Sequence, residues 1–511
     1  MPLDLLLVIF AFAALWLGYS VGITLGGVAL AFASVAYLFG AFDGALLGAV
    51  PSRIYGIMTN PVLLAIPLFV FMGLIVERAG LADDMFAALN QKLATRRGGL
   101  SLSVTFVGAL LAASTGIVGA SVLTLGLLAL PTLLKRGVEP GYAGASVAAA
   151  GSLGQIIPPA IVLIVLSDQM SNAWQQVQLE QGNFAPQTVS VSDLFAAALL
   201  PGVLLAALIA VYQWFKGAER PLEEQEEGPQ IGFASAVFGP LALIALVLGS
   251  ILGGVATPTE AASVGVAGAL LLAARRNFAQ QMDAMAHLPS VALYCLLIML
   301  LLRGLLGGGA ALVAVNAVLA LVLVGGLAVS LSRLWRNGVL KSALEESVHL
   351  VSMIFLIIIG ASLFALVFRG LGGDESVQSL FVDMPGGALG GVLIVLAIIF
   401  LLGFFLEFIE ITYLVVPIVV PVLLATPFAD GSTVDPLWLG VSIALVLQTS
   451  FLTPPFGVAL FYLRSVAPAA LTTIALYRGV IPFVAIQLVA LGLVLVFPWL
   501  ATGLPVLLFA N

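Results

Sequence analysis

Two pairs of short stretches stand out because they combine small, hydroxyl-bearing and proline residues inside otherwise apolar sequence. The first pair is AASTGIVGAS at 112–121 followed by GSLGQIIPP at 151–159, and the second is GFFLEFIEI at 403–411 followed by QTSFLTPP at 448–455. Proline removes a backbone donor and breaks a helix, so Pro158-Pro159 and Pro454-Pro455 each mark an interruption in an apolar segment. Backbone carbonyls and hydroxyls freed at such interruptions are hard oxygen ligands of the kind a sodium ion takes. One candidate ion site therefore gathers Ser114, Thr115, Gly116 and Ser121 with Gly151 and Ser152. The other gathers Gly403, Gln448, Thr449, Ser450 and Thr453. Half-helices beginning at Pro159 and Pro455 would aim positive dipole ends at one level, a seat for a carboxylate, which makes Pro158, Pro159, Pro454, Pro455 and Gly457 candidate substrate contacts. The competing reading is structural: small residues let helices pack closely, and each Pro-Pro is a kink.

Glu407 is the most suggestive single acid. An unpaired carboxylate in an apolar hairpin tip costs about 2.5 to 3.5 kcal/mol on insertion scales, so it must be paired, protonated or turned to water. It is read either as an ion, proton or substrate contact or as a helix-capping acid, with Glu410 a bystander. Glu260 in TPTEAA is expected to cap the helix begun near Pro258. Arg464 reads as a snorkelling charge at a helix end, and Arg369 as a surface charge within reach of Asp374.

The elements that must position these residues follow from composition. The chain has 511 residues, 62% hydrophobic and only 8% charged, with a mean hydropathy of +1.20. That much apolar surface cannot be hidden in a water-soluble core, so lipid is the expected solvent. About a dozen apolar stretches approach the ~20 residues that cross a bilayer; examples are 194–214, 233–252, 311–329, 348–367 and 481–500. The amino-terminal segment carries Asp4 and no basic residue, and reads as a first span that is retained. Cys295 is alone, which excludes an internal disulfide framework, and no basic run points to nucleic acid.

Basic residues cluster in short segments, namely Lys92/Arg96/Arg97, Lys135/Arg136, Lys216/Arg220, Arg275/Arg276 and Arg333/Arg336/Lys341, which should face the cytoplasm. The stretch between Arg97 and Lys135 is too short for two crossings of ~20 residues each, so a re-entrant hairpin at about 99–134 fits instead. A broken helix at about 142–166 follows, then a polar external loop at 167–193. The second half repeats this from the other face: 348–367 leads to an acidic loop at 372–385, a hairpin at about 387–426 and a broken helix at about 437–464. Interruptions at corresponding places in two inverted halves point to a transporter's binding site at the midplane.

The expected fold class is an all-α polytopic membrane protein with an inverted-topology repeat, two re-entrant hairpins and two broken helices, of the elevator type. The expected division is scaffold 1–85, transport half one 86–192, scaffold 193–275, an inserted apolar pair 276–340, a scaffold or connecting helix 341–386, transport half two 387–465 and a carboxy-terminal scaffold helix 466–511.

At four motifs the chain resembles the large membrane subunit of the tripartite ATP-independent periplasmic (TRAP) transporters. These are PLFVFMG (67–73), GSLGQIIPPAIVLIVL (151–166), ATPTEAASVG (256–265) and FLTPPFGVALF (451–461), with LLPGVLL (199–205) as a weaker fifth. The resemblance implies sodium-coupled symport of a small organic acid, mostly carboxylates such as dicarboxylates, sialic acid and 2-oxo acids, across the bacterial inner membrane by an elevator movement. It implies sodium as coupling ion, no organic cofactor, a periplasmic substrate-binding protein and a separate small membrane subunit of about four helices. Two features depart from the common pattern, the external loop at 169–192 and the apolar pair 291–302 and 310–331. The pair has basic flanks on both sides, so it returns to its starting face and leaves the following topology unchanged.

Rival readings are weaker. An intramembrane enzyme needs a nucleophile, base or metal, but the two histidines, His287 and His349, lie near basic flanks, and neither HExxH nor GxSxG occurs. A channel, or an anion transporter independent of a binding protein, remains the alternative; rows of pore-lining charge are missing. No GxxxxGK[ST] motif for an ATP-driven pump is present.

Overall fold

A backbone in lipid must satisfy its own polar groups, and a helix does so within one segment. The computed structural model describes residues 2–93, 98–216, 233–279, 287–306, 310–382, 386–428, 430–455 and 457–509, and all regular structure in them is helical. Helices α1 (Leu3–Leu15), α2 (Val21–Leu38) and α3 (Val50–Thr59) precede α4 (Ala65–Arg78) and α5 (Leu81–Leu93), which meet at 58°. Helices α6 (Gly99–Thr115) and α7 (Val118–Lys135) form a hairpin. Then α8 (Pro140–Ser152) is separated from α9 (Ile161–Glu180) by a 3-10 turn and the Pro-Pro loop. Four long helices, α10 (Val191–Lys216), α11 (Phe233–Leu252), α12 (Pro258–Ala279) and α13 (Leu288–Leu306), lead to α14 (Ala310–Arg336) and α15 (Val339–Gly370). The short α16 (Gly373–Val382) precedes a second hairpin of α17 (Gly387–Leu402) and α18 (Phe408–Ala425). A second broken pair, α19 (Pro436–Ser450) and α20 (Val458–Val466), is followed by α21 (Thr473–Val496) and α22 (Trp499–Phe509).

Among the described residues, seven helices are long and apolar enough to cross a membrane, or eight if the bent α4–α5 pair counts as one span. Further apolar helices of 10 to 17 described residues accompany them, among them α17 and α19 of the second hairpin and second break. The bounds of α6–α7, α17–α18 and α19–α20 lie within two residues of 99–134, 387–426 and 437–464, and α8–α9 begins two residues before 142 and ends well beyond 166.

Several boundaries differ. The polar stretch after the first break is no loop: α9 runs on to Glu180, leaving only 181–190 as a connection. Nothing in it breaks a helix, and its side chains bond locally, Gln175 to Ser171 at 3.0 Å and Gln176 to Glu180 at 3.0 Å. The acidic loop at 372–385 contains α16, whose first turn holds Asp374 and Glu375, charges that favour a helix start. The apolar run 481–500 is divided at Phe497, where α21 ends before Pro498. The half-helices begin at Ile161 and Val458, two and three residues beyond the positions expected at Pro159 and Pro455. Arg96, Arg97 and the segment 217–232 with Arg220 lie outside the described residues.

Packing joins the two halves closely. Helix α8 lies against α6, α7 and α21, α18 against α9, and α19 against α21 and α17. Helix α10 packs on α6, α19 and α21. The segments 193–216 and 473–496, expected in the scaffold, are thus packed directly on the broken helices. Elsewhere α15 crosses α2 at glycines: a Cβ on Gly360 would lie 2.0 Å from the Gly22 carbonyl oxygen, so only glycine permits this approach. The inserted pair α13 and α14 packs on itself and on α12, with α14 also against α15. Thr257 and Glu260 cap α12 reciprocally, the Thr257 N–H donating to Glu260 Oε2 at 2.9 Å and the Glu260 N–H to Thr257 Oγ1 at 3.3 Å, as the sequence indicated.

Candidate functional site

The two helix breaks meet. Ser152, at the end of α8, and Gln448, near the end of α19, each stand six residues before the first proline of their Pro-Pro pair. Gln448 Nε2 donates to the Ser152 carbonyl at 2.7 Å and to Ser152 Oγ at 3.0 Å. Both side chains are buried. The positions correspond in the two halves, so they face each other where an inverted repeat brings its halves together. Gln487 of α21 closes the cluster from behind, with Nε2 at 3.5 Å from the Gln448 carbonyl.

Each hairpin tip reaches a break. In the first, Gly116 has φ +59°, a left-handed conformation that glycine adopts without strain. Its carbonyl accepts from Gln155 Nε2 at 2.9 Å, which fastens the tip to the first break. In the second, Gly403 leaves no room for a side chain, since a Cβ there would lie 2.7 Å from Ser450 Cβ. Gly151 is equally confined, against Val122 of α7. The Pro158-Pro159 and Pro454-Pro455 peptide bonds are both cis.

Glu407 is the N-cap of α18 and forms a capping box with Glu410: the Glu407 carboxylate accepts the Glu410 N–H, and Glu410 Oε2 accepts the Glu407 N–H at 3.0 Å. The capping alternative for Glu407 is therefore realised, and Glu410, expected as a bystander, is a working member of the tip. Glu410 is buried and Glu407 partly exposed.

The proposed ion ligands are distributed unevenly. Thr449, Ser450 and Thr453 turn their hydroxyls back onto helix carbonyls, at 2.6, 2.6 and 2.7 Å, and Ser152 does likewise to Ala149 at 2.9 Å. These oxygens keep their acceptor lone pairs. Ser121 is buried one turn into α7. Ser114 and Thr115 close α6, but their side chains lie outside the described residues. Among the described residues Gln155 Oε1, Gln448 Oε1 and Gln487 Oε1 are buried without a hydrogen-bond donor, which leaves them available as hard oxygens near the breaks.

The two half-helix N-termini also differ. The N–H groups of Gly457 and Ala459 donate to the Thr453 and Phe451 carbonyls at 2.9 and 3.1 Å, so the α20 terminus is largely satisfied by its own loop. At α9, the first backbone bond comes from Ile164 to Ala160, leaving the N–H groups of Ile161, Val162 and Leu163 without an acceptor among the described residues. Of the two termini expected to hold an anion, α9 has the free donors.

Two cavities adjoin Glu407. The smaller, about 60 Å³, lies between the tips and is lined by Gly116, Gln155 and Ile161 from one half, by Glu407, Phe451 and Tyr462 from the other, and by apolar side chains of α4 and α15. The larger, about 430 Å³, is lined by Glu407, Glu410, Ser450, Phe461 and Tyr462 with Leu15 and Val21. Sequence reasoning missed Gln155, Phe451, Tyr462 and Gln487. A signal existed for two of them: Gln155 and Phe451 each stand three residues before a Pro-Pro pair, in the same register as one another.

The family model described as tripartite ATP-independent periplasmic transporter, DctM component, matches residues 7–305 and 274–500. The C4-dicarboxylate TRAP transporter large permease protein DctM of Vibrio cholerae is 25% identical over 491 residues, covering 94% of each chain. The sialic acid TRAP transporter large permease protein SiaM of the same organism is 24% identical, covering 96% of each. The ectoine/5-hydroxyectoine TRAP transporter large permease protein UehC of Ruegeria pomeroyi is 24% identical, covering 88% of this chain and 87% of that one. Among solved structures, the YdaH transporter of Alcanivorax borkumensis is similar in fold, with a TM-score of 0.51, 16% identity and 99% of each chain covered. Matched by the family model over most of its length, this multi-pass membrane chain belongs to the DctM component family of the tripartite ATP-independent periplasmic transporters.

Proposed function

We propose that the chain carries a small organic acid inward across the bacterial inner membrane, driven by sodium, in an elevator movement of the two hairpins and two broken helices past the surrounding helices. The observation that carries this reading is the Ser152–Gln448 bond, which makes one packed body of two broken helices from opposite ends of the chain. A body of that kind can move as a unit, taking a site between its tips from one face to the other. On this reading both hairpins are re-entrant, and the apolar faces of α4 and α15 against the tips are the track.

Chemistry divides the roles of the two cavities. The smaller has room for an ion and little else, beside the unpaired Gln155 oxygen and the Gly116 tip. The larger falls within the ~300 to 1,000 Å³ usual for small-molecule sites. The free N–H groups that open α9 border the smaller cavity at Ile161, so a substrate carboxylate reaches them where the two cavities adjoin at Glu407 and Tyr462, while the carboxyl oxygens of Glu407 and Glu410 face the larger one. Pro158, Pro159, Pro454, Pro455 and Gly457 shape the loops that aim the half-helices, and act on substrate through the backbone. The relatives named for C4-dicarboxylates and sialic acid support an organic acid as cargo. As in the family's name, a periplasmic binding protein delivers it, and a small membrane subunit completes the complex.

The test is uptake of a panel of labelled organic acids into proteoliposomes holding this chain, its small subunit and its binding protein. Uptake that requires both an inward sodium gradient and the binding protein is expected. Transport that persists without the binding protein, or follows ATP in place of sodium, sinks the reading.

A further inference from the structure

The seam between α15 and the second hairpin contains a polar contact that cargo binding does not use. Helix α18 carries Pro417 and Pro421 in its interior. Pro421 has no N–H, so the Pro417 carbonyl, one turn earlier, has lost its helical donor. Arg369, the penultimate residue of α15, supplies a replacement: its Nη2 donates to the Pro417 carbonyl at 2.9 Å and to Gln176 Oε1 of α9 at 3.2 Å. Its Nε lies 3.6 Å from Asp374 Oδ1, close enough for charge attraction but too far for a good hydrogen bond.

A counterpart exists in the first half. Glu77, the penultimate residue of α4, accepts a hydrogen bond at 3.0 Å from Thr124 Oγ1 on α7, the second helix of the first hairpin. In each half, then, the last turn of a surrounding helix makes a polar bond to the second helix of a hairpin.

We propose that Arg369–Pro417 and Glu77–Thr124 are a pair of releasable clasps that set the resting position of the hairpin body, and that both must open in each transport stroke. The proposal rests on the elevator reading above. At Arg369 a hydrogen bond to a backbone carbonyl suits this use, because its rupture strands no charge: the side chain is 33% exposed and has Asp374 beside it as the next acceptor; at Glu77 the bond is to a carboxyl whose other oxygen is buried without a partner among the described residues, so that clasp is the costlier to open. The orphaned carbonyl makes the clasp specific. A helix whose residue 421 kept its N–H would satisfy residue 417 itself and offer the guanidinium far less.

The experiment uses the full complex in proteoliposomes, with Ile117→Cys in a Cys295→Ala background reporting tip exposure to a membrane-impermeant maleimide, alongside sodium-driven uptake. Arg369→Gln is expected to change the labelling rate roughly tenfold, equivalent to about 1.4 kcal/mol on the resting equilibrium. In a Pro421→Ala background, where the helix regains its own donor, the same substitution should change it by less than about twofold. Thr124→Val removes the hydrogen bond to the Glu77 carboxyl and should shift labelling in the same direction by about threefold or more, and decides the matter alone if Arg369→Gln does not fold. Equal effects of Arg369→Gln with and without Pro421, or unchanged labelling in folded Arg369→Gln and Thr124→Val proteins, overturn the clasps while leaving the elevator intact. Parent labelling that ignores sodium and substrate while uptake proceeds overturns the elevator reading and the clasps with it.

Discussion

The two halves share an architecture and differ in how they satisfy it. In the first, the tip is a glycine turn held by a glutamine amide, the break leaves the Gln155 carbonyl oxygen unpaired, and three N–H groups at the start of α9 lack acceptors. In the second, the tip is a carboxylate capping box, and the α20 terminus is filled by its own loop. Each break leaves one glutamine oxygen, Gln155 Oε1 or Gln448 Oε1, without a partner among the described residues, so the halves differ in their helix starts and tips: the first keeps backbone donors open, and the second closes them with its own loop and adds two carboxyl groups. An inverted repeat thus need not repeat chemistry: the same broken helix can start with open donors in one copy and with donors filled by its own loop in the other. The Ser152–Gln448 bond is where these two solutions are joined.

Removing that joint should have the largest effect. Gln448→Leu leaves the Ser152 carbonyl buried without its donor, a loss of about 1 to 3 kcal/mol, or about 5- to 150-fold in uptake by protein that still inserts. Gln155→Leu strands the Gly116 carbonyl, but beside a cavity that water can enter, so about tenfold is expected. Uptake measured for both variants orders them. If Gln155→Leu is the more damaging, the weak point is the first tip and the halves are not held at their breaks.

The comparison also explains what was legible in the sequence. The first hairpin could be read because 97 and 135 are both basic and too close for two crossings, and each break because Pro-Pro interrupts an apolar run. Hydropathy and spacing record lengths and interruptions well. They misjudged α9, since polar residues such as Gln175 and Gln176 resemble a loop until their neighbours are seen to bond them along one helix. They did not place α21, which packs on α8 and α19 largely through apolar residues that resemble a lipid-facing span; its one buried amide, Gln487 against Gln448, was the overlooked signal. Of the candidate site, Ser152 and Gln448 were found as separate members of two ion sites. That they bond each other follows only from the inverted symmetry. Glu410 was undervalued because a capping box is ordinarily read from Ser or Thr at the first position, and here Glu407 stands there.

If the second tip is held by its cap, geometry and not charge at Glu410 should matter for folding. Glu410→Ala should lower stability by about 1 kcal/mol, the usual worth of a cap, and Glu410→Gln, whose amide oxygen can still accept the Glu407 N–H, should restore most of it. Thermal unfolding in nanodiscs gives the comparison. A glutamine as damaging as alanine means that the carboxylate is required for its charge, and the contrast between the halves becomes one of ion binding more than of architecture.

The smallest effect is expected where the chain leaves each hairpin. After α7 it turns at Gly137, with φ +76°, through backbone bonds from Gly137 to Leu134 and Val138 to Leu133, and needs no side chain. After α18 the turn at 430–432 also uses Gly431, with φ +82°, but adds Asp430, whose carboxylate accepts from Ser432 Oγ at 2.6 Å and from the Ser432 N–H at 2.9 Å. Those bonds favour the charged form and hold the Asp430 carboxyl below the usual range. A lowered carboxyl contributes to the turn above its unfolded pKa of about 3.9 and loses that contribution as pH falls through the lower, folded value. The exit of the second hairpin should therefore be unchanged between about pH 5 and 7 and loosen only in stronger acid, while the exit of the first ignores pH throughout. Ser432→Ala removes the Oγ bond and should move the Asp430 titration up toward the ordinary value, read from the carboxyl resonance of labelled aspartate in nanodiscs. A midpoint that does not move would mean that the backbone alone shapes this turn, and that the two exits are built alike.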